Sequence, residues 1–386
     1  MSGYICLAKF QIRGICVVDD RNQEVFRRYD IRVYTTYKAR GAVVLETDKG
    51  LLLLKSFEGS MDRVEFENAV KEFLIQKGYS SVDLYLRNMD GELITEDFMG
   101  NKYVLKNWFV GEECNLKETS DVMNATTNLA IMHALMVDMP VEEGMKKNNL
   151  QPNLFDTFEK RNRELKRVRS YIKEKRQKNE FELCYLSNYE KFYNQGMMAI
   201  EILKNSDYLN LYQASIDQCQ ICHGNYTYHN VMMLRGNQPA SAYEMRNKNK
   251  FRLGEDQEER LVAAELSNDI RLAASTNFDK AVIGLQIFDL YHFLRKVMEK
   301  NDWDVDYGCM LIEQYNEVKP LSKEELKLLY VLLLYPEKFW KITNFYYNSK
   351  KSWVPQRNIQ KLFSLQEQYE AKETFLNCIH EMVNEA

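Results

Sequence analysis

The hydrophobic pattern changes period once, near Leu116, and this change constrains the fold more than any other feature of the chain. Before it, apolar runs are short and broken by turns. Residues 43–47, the turn Asp48-Lys49-Gly50 and residues 51–55 predict a β-hairpin: two apolar strands around a glycine-containing turn. Residues 61–77 carry Phe66, Val70, Phe73 and Leu74 at helical spacing, with Asp62 as the expected N-cap and Gly78 just past the end. Residues 82–86, a turn at Asp90-Gly91 and residues 103–110 predict further strands, while residues 1 to about 28 hold only short apolar runs. After Leu116 the period is near 3.6. Helices are predicted over 122–137, 157–178, 181–203, 285–299, 323–335 and 359–383. The expected fold is α+β and bilobal: a β-rich lobe over 1–112, with a hinge near 105–112, and a helical lobe over 113–386.

Composition supports that division. Only 16 glycines and 6 prolines occur in 386 residues, which suits long helices and not a many-turned β fold. Hydrophobic residues at 45% supply a core, so a disordered chain is excluded. A net charge of −4 gives no global attraction for nucleic acid or an anionic membrane. The longest apolar run, 326–335, contains Lys327 and is well short of the roughly 18 residues of a membrane span. The first residues show no signal-peptide pattern, so folding in the cytoplasm is expected. The eight cysteines then read as reduced thiols. Cys219-Gln-Ile-Cys222-His223 matches a haem-attachment spacing, but no second ligand pair for zinc is near, and a buried strand entering a loop explains it. The helix 157–178 has a strongly basic face, partly balanced by Glu159, Glu164 and Glu174, which reads as a solvated surface. Residues 247–259 are polar and read as an insertion.

A β-rich lobe followed by a helical one is the plan of kinase-like phosphotransferases. That plan asks for a strand lysine on the nucleotide phosphates and a helix glutamate to orient it. Lys55 ends an apolar strand and Glu67 follows in the helix, with Glu65 and Glu72 as rivals. The stronger signal is His223-Gly224-Asn225-Tyr-Thr-Tyr-His229-Asn230. It resembles the H-G-D-x-x-x-x-N catalytic loop of the aminoglycoside phosphotransferase and choline kinase group. Asn277-Phe278-Asp279 resembles the metal-binding stretch of that group, and Asp289-Leu290 with 293–296 resembles the helix after it.

Further motifs fall in order: residues 37–41, 45–47, Leu54-Lys55, Gly78-Tyr79, Asp90-Gly91, Trp108-x-x-Gly111-Glu112 and Leu129-Ala130-x-x-His133, then a tail of 335–340 and 346–353. Together they resemble the CotS family of bacterial endospore coat proteins, over roughly residues 30–380. The resemblance implies an aminoglycoside phosphotransferase-like fold and ATP with magnesium as the cofactors of an active member. It implies other spore coat proteins as partners, and a course from the mother-cell cytoplasm to the spore coat. It assigns cofactor contacts to Lys55, Glu67 and Trp108, the catalytic loop to His223 and Asn225, and metal positions to Asn230, Asn277 and Asp279.

Two of these positions depart from the pattern. Asn225 and Asn277 stand where the group has aspartates, and asparagine supplies neither the charge nor the basicity. Losing the base costs about 10²–10⁴ in rate, and losing an anionic metal ligand roughly another 10–100. From about 1–100 s⁻¹ for kinases, this leaves roughly 10⁻⁶ to 10⁻¹ s⁻¹. The expected product is a pseudokinase or coat scaffold. The alternative is an active small-molecule phosphotransferase in which Asp279 binds the metal or His229 acts as base, histidine being the side chain most readily deprotonated near neutrality.

Overall fold

The structure is a computed structural model that describes residues 20–39, 41–234, 273–348 and 355–385. Residues 247–259 and Trp353 with its neighbours lie outside these. The chain forms two compact units that divide at Glu112/Glu113.

In the first unit, α1 (Asp20–Arg27) precedes β1 (Val33–Ala39), β2 (Ala42–Thr47) and β3 (Gly50–Ser56), and α2 (Met61–Gln76) leads to β4 (Tyr85–Leu86), β5 (Thr95–Glu96) and β6 (Lys102–Asn107). All pairings are antiparallel, in the order β1-β2-β3-β6-β4, with β5 also on β6. The hairpin is present as the alternation requires, with Val44 opposite Leu53. One sheet face packs Leu45, Leu52, Leu54 and Leu105 on Val25 and Phe26 of α1, a helix that the local sequence pattern does not announce. Val104 gathers with Val64 of α2, Tyr85 and Leu93 in a second cluster. The N-cap of α2 is Ser60, not Asp62: its side chain accepts from the Arg63 N–H, and Asp62 sits inside the first turn. Gly78 takes φ +90°, as expected of a residue just beyond a helix.

The second unit is mostly helical: α3 (Thr119–Leu135), α4 (Glu143–Asn148), α5 (Leu154–Glu174), α6 (Glu180–Lys204), α7 (Tyr208–Asp217), α8 (Ile287–Met298), α9 (Val305–Val318), α10 (Lys323–Leu334), α11 (Glu337–Asn348), α12 (Pro355–Glu367) and α13 (Tyr369–Glu385). Short strands carry the loops: β7 (Gly111–Glu113), β8 (Ile221–Cys222), β9 (Val231–Leu234), β10 (Ala273–Ser275) and β11 (Val282–Ile283). The helix expected over 359–383 is two helices broken at Gln368, whose side chain turns to donate to the Glu299 carbonyl and to Asp302. The core joins Leu165, Phe181 and Tyr185 to Phe339 and Ile342. Tyr346 stacks on Phe181 with centroids 3.6 Å apart, and Trp340 donates to Glu164, so the tail aromatics pack inward onto α5 and α6. The basic face of α5 is exposed at Lys160, Lys166, Arg167 and Lys173, while Arg161 turns to Glu337. Cys309 on α9 lies beside Cys378 on α13, their Cα atoms 7.5 Å apart, and Cys114, Cys184, Cys219 and Cys222 are free thiols. No described helix is long and apolar enough to cross a membrane.

Candidate functional site

The His223–Asn230 loop is built between two short sheets of the second unit. β8 leads into it and pairs antiparallel with β11, and β9 leaves it and pairs with β10. These pairings bring residues 223–231 against residues 275–282. Gly224 makes the turn at φ +72°; a Cβ there would lie 1.8 Å from the Lys280 carbonyl oxygen, so only glycine fits.

Beneath the loop lies Asp289 of α8, fully buried. Its carboxylate accepts the backbone N–H of His223 at 2.6 Å and of Gly224 at 2.8 Å, and contacts His133 Nε2 at 3.2 Å. Burial alone would raise this carboxyl; the His133 hydrogen bond and nearby imidazoles outweigh it and hold it below its ordinary value. His133 is lowered chiefly by burial, against the pull of Asp289, which keeps the ring neutral. Nε2–H then donates to Asp289, and Nδ1 accepts from the Tyr315 hydroxyl at 2.7 Å. His223 is buried too. Its Nε2 donates to the Thr276 carbonyl at 3.1 Å and its Nδ1 accepts the Asn225 N–H at 3.2 Å, so it braces the loop from within. By sequence His133 is marked only as the last residue of the Leu129-Ala130-x-x-His133 motif. Its role under the loop depends on the contact with Asp289, 156 residues away, which no local pattern shows.

Asn225, Asn230, Asn277 and Asp279 form one chain of hydrogen bonds. Asn277 Nδ2 donates to Asn230 Oδ1 at 2.9 Å, and Asn230 Nδ2 donates to the Asn225 carbonyl at 2.8 Å. Asn225 Nδ2 donates to Asp279 Oδ1 at 3.2 Å. Asn277 sits at φ +60°, a left-handed conformation that asparagine tolerates. The donor set is poor for a hard cation. Asp279 is its only carboxylate, and the Asn230 oxygen already accepts an amide proton. Among the described residues no cluster of three His, Cys, Asp or Glu side chains could hold a metal. Magnesium therefore does not fit this set as it stands. Beside it, His229 Nδ1 pairs with Glu113 of β7.

Lys55, Glu67 and Trp108 belong to the first unit. Lys55 lies on β3 opposite Val104. Trp108 donates its backbone N–H to the Leu51 carbonyl. Glu67 is buried between two lysines, Lys71 Nζ at 2.7 Å and Lys106 Nζ at 2.9 Å, and both lysines also pair with Asp83. Burial would raise the Glu67 carboxyl, but the two ammonium charges and the hydrogen bonds hold it well below the usual range. The rivals are engaged elsewhere, Glu65 with Arg87 and Glu72 with Asn68. The lysine pair is not legible in the sequence: Lys106 lies in an apolar strand, and Lys71 lies on a helix whose local signal is its hydrophobic stripe.

Residues 282–379 match the family described as Spore coat putative kinase YutH. Over 96 residues the chain is 32% identical to Spore coat protein S of Bacillus subtilis (strain 168), an alignment covering 24% of this chain and 27% of that protein. The chain thus spans about a quarter of the length of the curated relative it matches. Among solved structures, it superposes on an aminoglycoside phosphotransferase from Alicyclobacillus acidocaldarius subsp. acidocaldarius DSM 446 with a TM-score of 0.76 at 15% identity, covering 94% of this chain and 96% of that one. The AMP-bound spectinomycin phosphotransferase follows at TM-score 0.61 and 10% identity, with 91% and 96% covered. The fold is that of the aminoglycoside phosphotransferases, and the sequence similarity runs to spore coat kinase-like proteins.

Proposed function

We propose that this chain is a spore coat component with a kinase-like fold, acting as a pseudokinase scaffold and not as a phosphotransferase. One observation carries the reading: a chain of amide hydrogen bonds runs from Asn277 to Asn230, from Asn230 to the Asn225 carbonyl, and from Asn225 to Asp279. Two of its acceptors, Asn230 Oδ1 and Asp279 Oδ1, are oxygens that a magnesium ion would need. With one carboxylate in the set, the charge of a nucleotide–metal complex is not matched. A nucleotide without metal remains compatible with this reading, with Lys55 as its phosphate contact and Trp108 beside its base; relatives in the fold have been crystallised with AMP and GDP. Spore coat proteins would be the partners, and the coat the destination after synthesis in the mother cell. The test is assembly: a fluorescent fusion carrying Lys55→Ala with Asn225→Ala should still reach the coat of sporulating cells. Loss of coat localisation by that folded variant would overturn the scaffold reading.

A second reading has one contact in its favour. In the His229–Glu113 pair the carboxylate holds Nδ1 and orients the ring, an arrangement that suits Nε2 to a base role. On this reading the chain phosphorylates a small hydroxyl acceptor with ATP. An ADP-release rate that falls tenfold or more in His229→Ala would favour it; no release above the protein-free control would remove it.

A further inference from the structure

We propose that the second unit holds a site for a small oxyanion, a phosphate, sulfate or carboxylate group, at the turn between α10 and α11. The place is a cavity lined by Arg295, Glu299, Trp303, Glu337, Lys338 and Lys372, among others. Its volume, counted at the centres of a water-sized sphere, is about 30 Å³. One water needs roughly 10–15 Å³ on that measure, so the cavity takes one small anion or a few waters and excludes a nucleotide.

The charges around it do not balance. Glu337 is already held by Arg161 at 3.3 Å, Lys341 at 3.2 Å, Arg295 at 3.6 Å and the Tyr291 hydroxyl at 3.0 Å. Glu299 is held by Arg295 and by Lys338 at 3.4 Å. Four cations, Arg161, Arg295, Lys338 and Lys341, thus pair with these two carboxylates, and Lys372 adds a fifth charge to the cavity wall. Lys296 adds a sixth charge nearby, and Glu373 is engaged by Gln195. Two donors remain. Arg295 Nε is buried with no hydrogen-bond partner, in a side chain only 9% exposed. Lys372 Nζ has no carboxylate within ion-pair reach among the described residues and lies 5.6 Å from the Trp303 ring centroid. A buried donor without an acceptor is destabilising, and surplus positive charge at a partly buried wall favours a counter-ion. Burial brings the Lys372 ammonium down to about 8, with Glu373 and Glu299 opposing the shift and Arg295 and Lys338 adding to it.

The wall is held in place for such a role. Asp302 and Trp303 both take positive φ, +47° and +57°, and the Gln368 side chain pins that loop at the break between α12 and α13. The Pro336–Lys338 stretch, part of the tail motif that the candidate site does not use, forms the other side.

The test titrates sodium phosphate, sulfate and acetate into the full chain, with ionic strength held constant by sodium chloride. At least one oxyanion should raise the melting temperature beyond chloride, with calorimetric heats. The apparent affinity should fall tenfold or more in Lys372→Met, be largely kept in Lys372→Arg, and be unchanged in Lys147→Met, an exposed lysine of α4. Should Lys372→Met not fold, Lys338→Met serves in its place. Phosphate or sulfate acting alone identifies a tetrahedral anion, and acetate acting alone a carboxylate. No oxyanion-specific effect, an effect surviving Lys372→Met, or one lost in Lys147→Met would each overturn the proposal.

Discussion

Asn225 donates its side-chain amide to Asp279 across 3.2 Å, so an amide proton meets that carboxylate from the position where the family pattern has its catalytic aspartate. The amide and the carboxylate are mutually satisfied, whereas two carboxylates at that distance repel.

Restoring the carboxylates should therefore create a need for metal. In Asn225→Asp with Asn277→Asp, three carboxylates would share the site. The metal-free variant is expected to be about 1–2 kcal/mol less stable than the parent and to recover with millimolar magnesium, while the parent does not respond. Thermal melts with and without magnesium measure both.

Gly224→Ala tests the loop itself. The added Cβ meets the Lys280 carbonyl oxygen at 1.8 Å in a left-handed conformation, so backbone must move. A loss of about 3 kcal/mol in a urea titration is expected, well above the cost of an ordinary glycine replacement.

Stability should fall on mild acidification. Burial holds the His292 imidazolium down to about 4, only partly opposed by Glu337. Because the folded value lies below the unfolded value near 6.5, the unfolded chain takes up the proton first. His292 therefore contributes fully above pH 6.5, and its contribution is lost as pH falls toward 4, about 2 kcal/mol for a half-buried ring. His133, also lowered, acts in the same direction. Asp289, with its folded value depressed, keeps its contribution until below pH 4. In His292→Phe the slope of melting temperature against pH between 6.5 and 4 should flatten.

In the first unit, Lys106→Met should cost about 3–5 kcal/mol, because it leaves Glu67 and Asp83 with a single ammonium in a buried site. Lys55→Met, at a half-buried strand position, should cost less than about 1 kcal/mol. Equal losses in paired urea titrations would contradict the view that Lys71 and Lys106 hold Glu67.

Much of this architecture is legible in the sequence because it is local. The β2–β3 hairpin follows from alternation around Gly50, and α2, α6 and α10 follow from their stripes. The spacing from His223 to Asn230 is enough by itself to mark the loop. What stays hidden depends on distant partners. α1 is defined only by the leucines of β2, β3 and β6 that cover Val25 and Phe26. The break at Gln368 has no proline or glycine to mark it, and rests on hydrogen bonds to residues 299 and 302. Glu67 reads in the sequence as the helix glutamate paired with Lys55, while Lys71, Asp83 and Lys106 carry no local signal; their burial around Glu67 is a property of the packed unit.

The most direct measurement is phosphate release and ADP formation from ATP with saturating magnesium, for the parent chain and for Asn225→Asp with Asn277→Asp, alongside calorimetric titration of ATP with and without magnesium. The parent is expected to show no turnover above the protein-free control and no gain in ATP affinity from magnesium, while the double variant acquires the magnesium dependence. Turnover by the parent near about 1 s⁻¹ with magnesium-dependent ATP binding, in the range of working kinases, would contradict the pseudokinase reading.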